Sequence, residues 1–536
     1  MSSLLVANGV LFSAGNVLDA DALGVRDGRI VAVGSYRDVR DTLGRVDDEL
    51  DARGGLVTPG FVDAHLHLGG GAVDALRCDL AGADTLDEID RRIRTFAVGS
   101  GASWVVGGGW DPTLFPPTGP TAAHLDALVP DRPAFLLDAD HHGGWANSAA
   151  LVAAGIDRAT PDPSDGRIER AVDGTPSGAL REGAMQLVSP HIPPHETADI
   201  ARALLTVSRS ALAAGITGWQ EAALGEYAGY PDFSHAYLSL LRDGSLVGRA
   251  TGAIWVPRNL ASDTIDAFVA ACIERARVNT AAGFPTHTAK LMLDGIVETR
   301  TAHLCHPYPD GSRGLSYFAP ELVQQLVPAL NAAGVAVHVH ALGDAAVHDA
   351  LDGFAAVSAD HRARVRNHIA HLELIAPDDV PRFAALGVTA NCQPYWACAN
   401  ALVRQVTLPL LGVDRADDLY PFAALRDAGA ALAMGSDWPV STFDPWLGIH
   451  VAVTRRPPGE ADAEPLGAAH ALSLEAALDA YTRGSADLLG IGAGTLAAGA
   501  AADLAIADRD PFNVSAVDIH ETRTKATVVA GEVLVL

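Results

Sequence analysis

The sequence predicts an α/β protein: a (β/α)8 TIM barrel, a small β-sandwich built from both chain ends, and a subdomain inserted between the first two barrel strands. Three observations predict it. Eight apolar runs alternate with mostly amphipathic stretches over residues 59–484. Five of the eight runs carry His, Lys or Asp in or at their ends, and a barrel of this type places its chemistry at the C-terminal strand ends. Short β-rich runs broken by turn residues occupy both termini.

Near the N-terminus, Leu4-Leu5-Val6-Ala7 leads through Asn8-Gly9 into Val10-Leu11-Phe12, and Val25-Arg26 leads through Asp27-Gly28 into Arg29-Ile30-Val31. Asn-Gly and Asp-Gly between β-rich runs are strong hairpin signals. The same texture returns at 502–506 and 527–534, so residues 1–58 and 485–536 are expected to form one composite sandwich, with two separate β-appendages as the alternative. The first barrel strand ends in Gly60-Phe61-Val62-Asp63-Ala64-His65-Leu66-His67. Seven further runs lie at 216–221, 249–256, 287–293, 335–340, 367–372, 388–393 and 431–436. Helical periodicity is clear over 262–276, where Ser262-Asp263 reads as the N-cap, and over 320–333. Residues 68–200 are far too long for a βα connection and contain strand-like runs at 104–111 and 134–138, so they are expected to form a subdomain leaning over the barrel mouth.

Bulk composition narrows the function classes. A chain of 536 residues with 49% hydrophobic residues has ample material for a core. A net charge of −27 without basic patches argues against nucleic-acid and anionic-membrane partners, and no run approaches the ~18 apolar residues of a membrane span. Five scattered cysteines without zinc-finger spacing, and no signal peptide, point to a reduced, cytoplasmic chain. The expected partner is a small-molecule substrate, with a homo-oligomer left open.

The chemistry is concentrated in few residues. His65 and His67 are one residue apart, so on a strand both project from one face and form half of a site for Zn²⁺ or another first-row divalent ion. Lys290, His340, His371 and Asp437 lie at the ends of other runs and would converge on the same barrel mouth. His338 shares the face of His340 one layer deeper and is expected to support the site rather than ligate, while His368, three residues before His371, is expected on the opposite face.

Thr58-Pro59-Gly60-Phe61-Val62-Asp63-Ala64-His65-Leu66-His67, Lys290-Leu291-Met292-Leu293-Asp294-Gly295, His340-Ala341-Leu342-Gly343-Asp344, Gly435-Ser436-Asp437-Trp438-Pro439 and the tail around Gly494-Thr495-Leu496 resemble the amidohydrolase superfamily, in the branch that includes N-substituted formamide deformylases. The resemblance implies one or two divalent ions, Zn²⁺ foremost, held by His65, His67, Asp437, His340 and His371, and a CO2-derived carbamate on Lys290 bridging them. An unmodified ammonium has no lone pair for a metal; the alternative is a Lys290 ion-paired to Asp294 or Asp344, with a single ion. A metal lowers the pKa of bound water from 15.7 to about 7, and Asp437 is the expected proton acceptor. The expected activity is hydrolysis of an amide-like C–N bond, including that of an N-substituted formamide, in a small apolar or aromatic substrate. Deamination, lactone or ester hydrolysis and isomerisation on the same metal site are the alternatives, with a non-catalytic scaffold behind them. The resemblance implies that one of His141 and His142, His142 foremost, is a pocket residue, against the alternative that both are surface histidines. Trp110 with Asp111, Trp396 and Trp438 lie beside site motifs and are candidates for the substrate pocket, against the alternative that the tryptophans anchor loops. Arg181 and Arg300 are candidates for binding a substrate oxygen or carboxylate, against structural ion pairing.

Overall fold

In the computed structural model, which describes residues 3–227 and 230–535, eight parallel strands form one continuous sheet. They are β1 (Phe61–Leu66), β2 (Ile216–Leu224), β3 (Arg249–Trp255), β4 (Thr288–Met292), β5 (Ala336–Ala341), β6 (His368–His371), β7 (Thr389–Cys392) and β8 (Leu432–Met434). Each pairs with its sequence neighbour, and nearly every strand residue is buried, because helices cover the outer face while side chains fill the lumen. The segment after β8 brings the sheet's ends together: Asp437 N–H donates to the His65 carbonyl and His67 N–H to the Trp438 carbonyl, both at 2.7 Å. The buried Asp63 carboxylate adds to this closure, accepting the Ser436 N–H at 3.0 and 3.1 Å and the His65 N–H at 3.1 Å.

The covering helices include Thr197–Ala213, Ile265–Ala281, Pro320–Ala332 and Asp344–Ala355. The helix expected to open at Ser262 instead begins after a single 3-10 turn, Ser262–Thr264. Thr264 stands at the helix's N-cap without a side-chain capping bond, and its hydroxyl instead accepts the Ala261 N–H at 3.2 Å.

Two sheets form the sandwich. One runs Arg29–Gly34, Ala22–Arg26, Ser3–Ala7, Asp48–Asp51; the other runs Glu532–Val535, Thr524–Val529, Leu504–Ala507, Leu56–Pro59, Val10–Ser13, Asn16–Val17 and so draws on both termini. Leu4, Val6, Val25, Val57, Ile506 and Val528 pack between them. Asp27 and Gly28, with φ of 50° and 75°, make the expected hairpin turn. Asn8-Gly9 does not. Only Asn8 is left-handed (φ 55°), and the strands on either side join different sheets, so this dipeptide is a corner.

The insertion holds a six-stranded sheet ordered Gly166–Arg170, Pro176–Glu182, Gly143–Ala146, Ala134–Asp138, Val105–Trp110, Cys78–Asp79, with a core of its own around Trp110, Leu136 and Trp145. Its loop 139–142 reaches the barrel mouth. No helix among the described residues is long and apolar enough to cross a membrane.

Candidate metal centre at the barrel mouth

Register places the interior side chains. Lys290 of β4 lies beside His338 of β5, and Met292 beside His340, so Lys290, His338 and His340 share the lumenal face. His338 lies opposite His368 of β6 and His340 opposite Ala370. His368 is therefore inside the barrel, contrary to the expectation from its spacing to His371, and its ring centroid is 4.0 Å from that of His338. The alternation fails at the strand's last residue. His371 has φ 78° and Leu372 φ 56°, and this left-handed kink brings the His371 ring to 4.3 Å from His340 and 4.8 Å from His65. Asp437, at φ 56°, follows the same pattern after β8. Non-glycine residues held in this region cost of order 1–3 kcal/mol, and such outliers cluster at functional sites.

Asp437 Oδ1 lies 3.2 Å from Nε2 of both His65 and His67, and Oδ2 lies 3.9 Å from His371 Nδ1. Ligand atoms of His65, His371 and Asp437 all fall within 4.8 Å of one another. His340 Nε2 and both ring nitrogens of His371 are buried without a hydrogen-bond partner among the described residues. Orphaned buried nitrogens of this kind are costly, and a divalent cation bound by the imidazole lone pairs and the carboxylate would satisfy them. The donor set fits such an ion.

Electrostatics favour metal-ready protonation states. Burial, reinforced by Lys290, pushes His65 down to about 3, and burial first of all holds His340 and His371 well below the usual histidine range. Burial alone would raise Asp437, but His65, His67 and His371 outweigh it and hold the carboxyl well below 3.8. Lys290 has no ion pair among the described residues. Its Nζ sits 3.3 Å from His338 Nε2 and 3.5 Å from His65 Nε2, and burial pushes it down to about 7. The alternative carboxylate partners are engaged elsewhere: Asp294 accepts the N–H groups of His303, Leu342 and Gly343, and Asp344 that of Cys305.

A layer of polar side chains holds these groups. Gln220 Oε1 lies 2.9 Å from His338 Nδ1, and His338 Nε2 lies 3.1 Å from His65 Nδ1. Gln393 Oε1 accepts the His371 N–H at 2.6 Å, and Asn391 Nδ2 donates to the Ala64 carbonyl at 2.9 Å. Sequence reasoning expected His338 in this supporting role but missed Gln220, Asn391 and Gln393. The available signal was an amide side chain inside an otherwise apolar strand, which is buried only with partners.

Two cavities meet at the centre, sharing Asp140, His142, His340, Asp437 and Val440. The first is walled on its apolar side by Tyr227, Tyr230, Phe233, Trp255 and Met292. His142 lies where the two meet, with Nδ1 2.7 Å from Glu182 Oε1. Burial opposes its charge, but Glu182 overrides burial and lifts His142 to about 9. Trp396 walls the second cavity and stacks on His371, at 5.3 Å and 7°.

Other candidate residues lie away from the cavities. Trp110 is buried in the insertion's core, its indole N–H on the Leu136 carbonyl at 3.2 Å, because the apolar face of Val105–Trp110 turns into that subdomain. Asp111 is exposed and caps the turn that follows, accepting the Thr113 N–H at 2.8 Å. Trp438 packs on Phe443 and against Gly71, where a Cβ would meet its ring at 2.1 Å; it anchors a loop. Arg181 faces Asp138 at 3.7 Å and Glu169 at 3.6 Å, and Arg300 faces Asp310 at 2.9 Å, so both make structural ion pairs.

A profile of the amidohydrolase family matches residues 48–535. Protein LONG AFTER FAR-RED 3 of Arabidopsis thaliana is 31% identical over 471 residues, covering 85% of this chain and 79% of that protein. The N-substituted formamide deformylase of Arthrobacter pascens is 28% identical over 539 residues, covering 96% and 94%. In fold, the chain resembles the crystal structure of an uncharacterized metal-dependent hydrolase from Pyrococcus horikoshii, with a TM-score of 0.72 and 23% identity over 96% of this chain and 99% of that one.

Proposed function

This chain belongs to the amidohydrolase family, and we propose that it hydrolyses the C–N bond of a small amide-like substrate, an N-substituted formamide being the class to test first. The observation that carries the reading is the set of buried, unpartnered His340 and His371 nitrogens beside Asp437, His65 and His67 at the mouth of a cavity. His65, His67, His340, His371 and Asp437 would hold one or two divalent ions, and their nitrogen and oxygen donors suit Zn²⁺. Such an ion supplies a lowered water pKa and a polarised carbonyl.

The chain's own groups do the rest. Asp437 accepts a proton from the attacking water and returns it to the leaving amine. With Nδ1 occupied by Glu182, His142 has Nε2 left for the substrate carbonyl oxygen. Lys290, at about 7, keeps much of its amine unprotonated near neutral pH. That is the form that adds to CO2 with loss of a proton, which supports a carbamate at this position. Tyr227, Tyr230, Phe233 and Trp255 exclude water and suit an apolar or aromatic substituent.

Metal analysis with a hydrolysis screen tests the reading. Purified protein should carry one to two divalent ions per chain and hydrolyse N-benzylformamide, and His65→Ala or His67→Ala should lower both metal content and turnover. Undiminished activity in metal-stripped protein under chelator would overturn it.

A further inference from the structure

The second cavity differs in character from the first. Asp140, Glu298, Glu373, Tyr395, Trp396 and Tyr420 line it beside the metal centre. Three carboxylates besides Asp437 thus face one space, while the bases among its described lining residues are His142, paired with Glu182, and His340 of the metal centre. The nearby Arg455 is fully buried and spends its guanidinium on the carbonyls of Leu419, Tyr420 and Leu466. The one protein cation among its described lining residues is His142, whose charge is already paired with Glu182, so acid remains in excess around the space.

Glu373 is the telling group. It is 2% exposed, lines the cavity, and no ion pair or hydrogen bond within 3.5 Å fixes its carboxylate among the described residues; the Tyr420 hydroxyl is the polar neighbour that bears on it. Tyr420 is itself held there by its N–H on the Glu373 carbonyl, at 2.8 Å. Glu298 accepts the Thr407 hydroxyl. Burial without a full counter-charge favours the protonated acid at Asp140, Glu298 and Glu373, and a positive ligand entering the cavity would meet carboxylates that ionise against it.

A bare metal ion is the wrong size. Among the described residues, the one group of three or more His, Cys, Asp or Glu ligand atoms within 4.8 Å is His65, His371 and Asp437. The carboxylates of Asp140, Glu298 and Glu373 are spread around the space rather than gathered on a point. Trp396, Tyr395 and Tyr420 add aromatic walls, which attract an organic cation. We propose that the second cavity is a subsite for an organic cation borne by the substrate, a primary ammonium or guanidinium a few atoms from the scissile C–N bond. The excess of acid over the whole chain, −27, would draw such a molecule in. This rests on the amide-hydrolase reading and narrows its substrate class to molecules with an apolar end and a cationic end.

The test uses metal-loaded enzyme and three N-benzylformamides, para-substituted with aminomethyl, ethyl or carboxymethyl. The aminomethyl compound should exceed its ethyl isostere in kcat/KM by at least ~10-fold, the size of one hydrogen bond to a charged group. The ratio should fall towards one in Glu373→Gln and in Glu298→Gln; if one variant fails to fold, the other carries the test. Equal rates for the two compounds, preference for the carboxymethyl compound, or a ratio unchanged in a folded variant overturns the subsite and leaves amide hydrolysis standing. If metal-loaded protein hydrolyses none of the three, the amide reading falls. The subsite is then decided by binding of 4-methylbenzylamine, followed by tryptophan fluorescence with Trp396→Phe as control. Saturable binding lost in Glu373→Gln supports it, and absence of saturable binding overturns it.

Discussion

Replacing Glu182 by Gln isolates one charge in the network behind the site. Glu182 ends the strand Pro176–Glu182 in a left-handed conformation (φ 50°), with its carboxylate 1% exposed. Oε1 takes His142 Nδ1 at 2.7 Å and the Thr301 hydroxyl at 2.8 Å, while Arg258 lies 3.6 Å from Oε2. Burial works against both charges, yet the pair lifts His142 from 6.5 to about 9 and holds Glu182 at about 2. At 1.36 kcal/mol per pH unit, the His142 displacement corresponds to about 3 kcal/mol of preference for the imidazolium. Because the folded pKa is raised, this stability is fully present below pH 6.5 and is lost as the pH rises through about 9. The depressed Glu182 value describes the same interaction from the other side, present above 4.5 and lost as the pH falls through about 2, and is counted once. The amide introduced by Glu182→Gln keeps a carbonyl oxygen for Nδ1–H, so the variant removes charge while sparing geometry. In metal-stripped, ¹⁵N-histidine-labelled protein, the His142 titration should fall well below 9, since burial then opposes the charge with only Asp138 and Asp140 left to raise it. A wild-type midpoint near 6.5, or one unchanged in the variant, would refute the reasoning.

Two further substitutions probe the centre itself. Lys290→Ala should be nearly inactive and partly rescued by short carboxylic acids, with ¹³C-labelled CO2 giving a carbamate signal only in the wild type; an unmodified ammonium in a fully metal-loaded crystal structure would rule out the carbamate. Asp437→Asn keeps size and some ligand capacity but removes the proton acceptor, so turnover should fall by ~10²–10⁴ with most metal retained, as read by steady-state kinetics and metal analysis on the same sample.

Much of the barrel is legible in the chain because its signals are local. A buried parallel strand reads as an apolar run, and the eight runs became β1 to β8 in order. His65 with His67 and His338 with His340 follow from the two-residue period of a strand, which needs no knowledge of neighbours. The composite sandwich follows from turn chemistry and β-rich texture, although Asn8-Gly9 shows that a hairpin signal does not say which sheet the next strand joins.

What periodicity could not supply is decided by backbone departures and by loops meeting in space. His371 enters the lumen only through its φ of 78°, and the same kink leaves His368 inside beside His338, where regular alternation would place one of the two outside. Trp110 and Trp396 both stand next to site-like motifs, yet one is sealed in the insertion's core and the other walls a cavity. The difference lies in which subdomain each strand end faces. The second cavity draws Asp140 from the insertion, Glu298 and Glu373 from segments after β4 and β6, and Tyr420 from the stretch before β8. These residues are far apart in sequence, and no local pattern joins them. Proximity of that kind is a property of barrel closure: strand order fixes which βα loops are neighbours, and only then does a set of unrelated carboxylates and aromatic rings come to line one cavity.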